Sequence, residues 1–105
     1  MEFSIQAVTE GQTTTLRVAG EVDLATADEL SQAAAAALAA GANALVIDLA
    51  AVTFLDSTGL AVLVALTNQS TADGVALTIR DPAPRVRNVI RITGLGQFLP
   101  LSPSE

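Results

Sequence analysis

The chain has 105 residues, half of them apolar, with only three aromatic side chains, all phenylalanine. Eleven acids against five arginines and no lysine leave a formal charge of −6, which argues against nucleic acid as a partner because neutralising phosphates needs cations. The composition fits one domain with a core of Leu, Val, Ile and Ala, and the absence of cysteine rules out a disulfide framework.

Glu2 stands where a secretory leader carries positive charge, and no apolar h-region follows. No apolar run approaches the ~18 residues of a membrane span. A cytoplasmic protein without membrane insertion is expected.

Phe3 to Thr9 alternates, Glu10-Gly11-Gln12 reads as a turn, and Thr13 to Ala19 alternates again. Together they predict a β-hairpin, closed by Gly20-Glu21-Val22-Asp23. Thr26 and Glu29 have capping-box spacing and open a helix through Leu30, Ala34, Ala37 and Leu38 to Gly41. The run Leu45-Val46-Ile47 predicts a buried strand from Ala44 to Leu49. A loop with Val52, Phe54 and Leu55 leads to Asp56-Ser57-Thr58-Gly59. The apolar run Leu60 to Leu66 then continues to Asn68 or Gln69 as a second helix.

Ala72-Asp73-Gly74 reads as a turn and Val75 to Arg80 as a further strand, stopped by Asp81-Pro82-Ala83-Pro84. Pro84 is placed to open a third helix. Its apolar stripe is Val86, Val89 and Ile90, with Thr93 at the end, and its basic face is Arg85, Arg87 and Arg91. Gly94 ends it, Gln97-Phe98-Leu99 reads as a short terminal strand, and Pro100 to Glu105 as a frayed tail. The domain is therefore set at residues 1–99 and the tail at 100–105. The predicted order is β-β-α-β-α-β-α: an α/β fold with a mixed sheet of four to five strands and helices mainly on one face.

The inventory of side chains is poor in catalytic groups. With no His, Cys, Lys, Tyr or Trp, the usual general base near neutrality, the thiol nucleophile and the Schiff-base amine are missing. No phosphate-binding or dinucleotide-binding glycine loop is present. A non-enzyme with no cofactor and no metal is expected. Asp23, Asp48 and Asp56 fall at predicted strand or helix ends and could meet at one sheet edge; weak Mg²⁺ binding is one reading, and capping of loop and helix N–H groups is the favoured one. Arg85, Arg87 and Arg91 read as a solvated face or as a contact for an acidic partner.

Ser57 has two readings. It is a plain N-cap, or it accepts a phosphate where unpaired N–H groups and the positive end of a helix dipole favour an anion.

Three motifs bear on that choice. Gly20-Glu21-Val22-Asp23 with Thr26-Ala27 and Leu30, Val46-Ile47-Asp48-Leu49 followed by Phe54-Leu55-Asp56-Ser57-Thr58-Gly59-Leu60, and Thr93-Gly94-Leu95 occur in order along nearly the whole chain. This pattern resembles the STAS domain. A chain this short with D-S-T-G-L resembles, within that family, an anti-sigma factor antagonist (anti-anti-sigma factor).

The resemblance implies that Ser57 is phosphorylated by an anti-sigma factor that is an ATP-dependent serine kinase, with Thr58 as the neighbouring hydroxyl. Asp23, Asp56 and Gly59 would surround the acceptor. The unphosphorylated form would bind the kinase and displace the sigma factor, and a phosphatase would reset it. The expected docking residues are Glu21, Asp23, Thr58, Ala61, Val62 and Ala65. The alternative is a STAS subunit that steadies an ABC-type lipid-transport complex without phosphorylation.

Overall fold

In the computed structural model, residues 2–102 are described. The elements are β1 (Ser4–Glu10), β2 (Thr13–Val22), α1 (Ala27–Ala39), β3 (Ala44–Leu55), α2 (Ser57–Asp73), β4 (Ala76–Arg80) and α3 (Pro84–Ile92), followed by a 3₁₀ turn at Leu95–Gln97. The order matches the expected β-β-α-β-α-β-α. The four strands lie in the order β1-β2-β3-β4. β1 and β2 are antiparallel, while β2–β3 and β3–β4 are parallel, as crossovers through α1 and α2 require.

The sheet has one covered face. Leu16, Val18, Leu45, Ile47 and Ile79 are fully buried and pack with Leu30 and Ala34 of α1, Leu63 of α2, and Val86 and Ile90 of α3. The intervening residues Arg17, Val46, Asp48 and Arg80 are half-buried or exposed. On that second face Arg17, Asp48 and Arg80 are neighbours across three strands.

β3 departs from the expected strand-then-loop. Pairing with β2 continues from Ala44 to Leu55, with register shifts between Arg17 and Ala19 and between Gly20 and Glu21. At each shift β3 carries one more residue than β2, so the buried positions run Leu45, Ile47, Leu49, Val52 and Leu55. Those extra residues break the two-residue alternation that marks a strand in sequence.

α2 also runs past the expected end at Asn68 or Gln69. Thr67 is buried, but its hydroxyl donates to the carbonyl of Leu63 at 2.8 Å. A polar residue satisfied this way does not end a helix. Gly74 does end it, with φ +71°.

The chain end differs as well. Gln97-Phe98-Leu99 forms no strand. Instead Leu101 bridges Ile79 in parallel: the Ile79 N–H donates to Pro100 O and the Ser102 N–H to Ile79 O, both at 2.9 Å. Pro100, Leu101 and Ser102 thus line the edge of β4, where a frayed tail was expected. Residues 103–105 of that tail lie outside the described residues. On α3, Val86 and Ile90 face the core as expected, whereas Thr93 is exposed and serves as the C-cap.

Candidate functional site

The parallel β2–β3 pair sets the site. Its last matched residues are Val22 and Leu55, so the loops that begin at Asp23 and Asp56 leave the same sheet edge side by side. The Asp56 N–H donates to Val22 O at 3.2 Å and ties the two exits together.

Asp56 is the N-cap of α2. Its backbone is extended, and its Oδ1 accepts from the Gly59 N–H at 2.9 Å. Ser57 is therefore the first helical residue, not the cap, and its side chain is exposed. The N–H groups of this first turn have no acceptor inside the helix. An exposed hydroxyl thus stands where partial positive charge gathers. Thr58, the next residue, is half-buried.

Gly59 is the point of closest approach. A β-carbon there would lie 2.8 Å from Val22 O and 2.6 Å from Leu55 Cδ1. Only a residue without a side chain lets α2 start this near the end of β2.

The Asp23 loop is held from within. Thr26 Oγ1 donates to Glu21 O at 2.7 Å and accepts from the Asp23 N–H at 3.0 Å. Asp23 Oδ1 accepts from the Ala25 N–H at 3.0 Å, and Asp23 O accepts from the N–H groups of Thr26 and Ala27. The expected capping box is not formed. Thr26 occupies the N-cap position but makes no side-chain cap bond, because its hydroxyl is committed back toward β2.

Asp23 and Asp56 share the edge, as expected, but Asp48 does not join them. It lies in the middle of β3, opposite Arg17 and Arg80. Its Oδ2 accepts from Arg80 Nη2 at 3.0 Å and its Oδ1 from the Ala50 N–H. Partial burial pushes the Asp48 carboxyl up, but the Ala50 N–H, the Arg80 guanidinium and the charge of Arg17 outweigh it and hold the carboxyl below its usual range.

Along α2, Ala61 and Ala65 are exposed on the helical stripe that starts at Ser57, with Val62 half-buried beside them. Glu21 is exposed on the last turn of the β2 ladder. Two apolar residues outside the expected docking set are also exposed at this edge. Leu24 is 81% exposed, directly after Asp23, and Phe54 is 43% exposed opposite Glu21. The signal available for Leu24 was a large aliphatic residue inside a loop, between Asp23 and Thr26. Phe54 was concealed by the irregular alternation of β3.

The comparison with known proteins follows the same residues. Residues 5–101 match the family profile described as "Mlab, STAS domain". The chain belongs to the STAS domain family. A curated relative, the anti-sigma-F factor antagonist RsfB of Mycobacterium tuberculosis, is 39% identical over 80 residues, which is 76% of this STAS chain and 65% of the relative. The chain thus spans slightly less than two thirds of that relative.

Among solved structures, an anti-sigma factor antagonist from Mycobacterium paratuberculosis is 35% identical with a TM-score of 0.83, covering 98% of this chain and 87% of the other. The anti-sigma factor antagonist SpoIIAA in its unphosphorylated form shares the fold, with a TM-score of 0.74 at 23% identity over 98% of this chain and 90% of the other. SpoIIAA in its phosphorylated form, described as a Bacillus cell fate determinant, has a TM-score of 0.69 at 20% identity, covering 98% and 93%. None of the described helices of this STAS domain is long and apolar enough to cross a membrane.

Proposed function

We propose that this STAS domain is an anti-sigma factor antagonist whose hold on its partner is switched at Ser57. Unphosphorylated, it binds an anti-sigma factor that is also a serine kinase, and the sigma factor is released. The kinase passes the γ-phosphoryl group of ATP to Ser57 Oγ, which loses its proton as ADP leaves, and the complex separates. A phosphatase hydrolyses the ester and returns the binding form.

The observation that carries this reading is the exposed Ser57 hydroxyl on the first turn of α2, next to the cap Asp56. Thr58 is less accessible, which favours Ser57 as the acceptor. The relatives named as anti-sigma factor antagonists add support.

The switch follows from charge. A phosphate adds roughly −1.5 to −2 charges, and the helix N-terminus can hold it without unfolding the domain. Glu21, Asp23 and Asp56 lie around the same edge, so the patch becomes more negative still. Thr58, Ala61, Val62 and Ala65 continue the docking surface along α2. A partner seated there meets repulsion and must strip water from the phosphate. A loss of about 2.7 kcal/mol weakens binding a hundredfold.

The test uses the full chain and each anti-sigma factor of its genome, purified singly. With ATP, one phosphate is expected on the Ser57 peptide by mass spectrometry and none on Ser57→Ala. Ser57→Ala is expected to bind as tightly as the wild type, and Ser57→Asp at least tenfold more weakly. Equal affinity of the two variants, with no phosphate gained, would count against the switch and leave the unphosphorylated transport-complex subunit as the better reading.

A further inference from the structure

The sheet edge beside Ser57 carries an apolar component that neither the phosphate chemistry nor the fold uses. Among the described residues Leu24 is the most exposed of the large apolar ones, at 81%, and Phe54 stands at 43%. Both belong to the edge where β2 and β3 end. Phe54 pairs with Glu21, and both are exposed on the side of the sheet away from the buried Val22–Leu55 pair; Leu24 follows Val22 by two residues, and Ser57 follows Leu55 by two. Leu24 is not loose: Asp23 on one side and Ala25 and Thr26 on the other are fixed by the hydrogen bonds of the Thr26 hydroxyl and the Asp23 carboxylate. A hydrophobic side chain is therefore held out in water on a pinned loop. Burial of its surface by a partner returns free energy with little ordering cost.

The charges around it state the partner's chemistry. Glu21 near the end of β2, Asp23 and Asp56 on the loops that leave the strands, and Asp28 in the first turn of α1 lie at or next to this edge. Arg17 on β2, Arg80 on β4, and Arg87 and Arg91 on α3 belong to other parts of the fold, and only Arg85, at the start of α3 beside Val52 and Thr53, comes near the Phe54 side. An apolar centre with an acidic rim matches an apolar pocket with a basic rim.

We propose that Leu24 and Phe54 are the apolar anchors of the docking surface at Ser57, seated in an apolar pocket rimmed by Lys or Arg on the anti-sigma factor. The inference rests on the reading of the Ser57 face as the anti-sigma factor's binding site. Leu24 then sets which anti-sigma factor is accepted, because its loop position tolerates many side chains without cost to the core. Phosphate at Ser57 acts on the polar rim, and the anchors supply affinity that the phosphate has to overcome.

The test measures binding of the anti-sigma factor to Leu24→Ala, Leu24→Glu and Phe54→Ala, with Ser57→Ala and Ser57→Asp alongside. Ala72→Glu, on the exposed far end of α2, controls for added charge, and circular dichroism checks each fold. Leu24→Ala is expected to weaken binding about tenfold, Leu24→Glu more, and Ala72→Glu less than twofold. Leu24 variants within twofold of wild type, with Ser57→Asp still weak, would overturn the anchors and leave the switch standing. Loss at Leu24 with equal Ser57 variants would support the anchors and overturn the switch. Wild-type protein that binds none of the anti-sigma factors would overturn both.

Discussion

Gly59 and Val22 approach so closely that nothing larger than hydrogen fits between them: a β-carbon on Gly59 would stand 2.8 Å from Val22 O. That oxygen also accepts the Asp56 N–H, so the contact sits at the hinge between β2, β3 and α2. Leu55 Cδ1 can rotate away from an added methyl, but the Val22 carbonyl is part of the strand. Gly59→Ala is therefore expected to destabilise the fold by about 1–3 kcal/mol, as overpacking does. It should also shift the amide resonances of Val22 and Asp56 more than those of β1. A urea midpoint equal to wild type would show that α2 can slide without cost.

Asp56 is the cap of α2 through a 2.9 Å bond to the Gly59 N–H. Asp56→Ala should lower stability by about 1 kcal/mol, and Asp56→Asn much less, since Asn caps nearly as well. The pair separates capping from charge. If the carboxylate adds repulsion once Ser57 is phosphorylated, phosphorylated Asp56→Asn should keep more affinity for the anti-sigma factor than phosphorylated wild type. Binding assays on both forms decide it.

Much of the fold was legible because single residues carry unambiguous signals. Pro84 at a helix start, Gly41, Gly74 and Gly94 after helix ends, and the alternation of Leu16 and Val18 each report local geometry directly. The rest was concealed where two elements share a constraint. The second half of β3 reads as loop because its extra residues are accommodated by β2, a fact of pairing and not of one segment. Ser57 and Asp56 are equal cap candidates on paper, and only the path of the chain past Val22 makes Asp56 the cap. Thr26 fits a capping box by spacing, yet its hydroxyl oxygen accepts from the Asp23 N–H, not from a helix N–H, while the hydroxyl donates to Glu21 O. Asp48 looked like a strand end because the run Leu45-Val46-Ile47 stops there, whereas its carboxylate is neutralised in the sheet by Arg80.

Thr26 holds the Asp23 loop through one hydroxyl that donates to Glu21 O and accepts from the Asp23 N–H. Removing it leaves both backbone groups without that partner. Thr26→Ala is expected to cost about 1–2 kcal/mol, with Thr26→Ser recovering most of it because the oxygen is retained. Hydrogen exchange at the Asp23 amide should accelerate in Thr26→Ala and stay near wild type in Thr26→Ser. Unchanged exchange in both variants would mean that the bonds to Asp23 O and Asp23 Oδ1 hold the loop without the Thr26 hydroxyl.

Asp48 and Arg80 give the fold an acid dependence whose sign can be worked out. The Asp48 carboxyl in the folded protein lies below its ordinary value, through the Ala50 N–H, the Arg80 guanidinium and the charge of Arg17, against the opposing effect of burial. A lowered carboxyl means that the unfolded chain binds the proton more readily. The stabilisation is then fully present above the unfolded carboxylate pKa and disappears as the pH falls through the lower folded value. Arg80→Gln removes the cation and replaces the guanidinium donor with a shorter, neutral amide, so Asp48 should titrate at higher pH, read from its side-chain carbon resonance. Because the Arg80 side chain is 38% exposed, the pair contributes at most about 1 kcal/mol. The urea midpoints of wild type and Arg80→Gln should differ at pH 6 and converge in strong acid. An Asp48 midpoint that stays in place in Arg80→Gln would assign the shift to the Ala50 N–H and to Arg17.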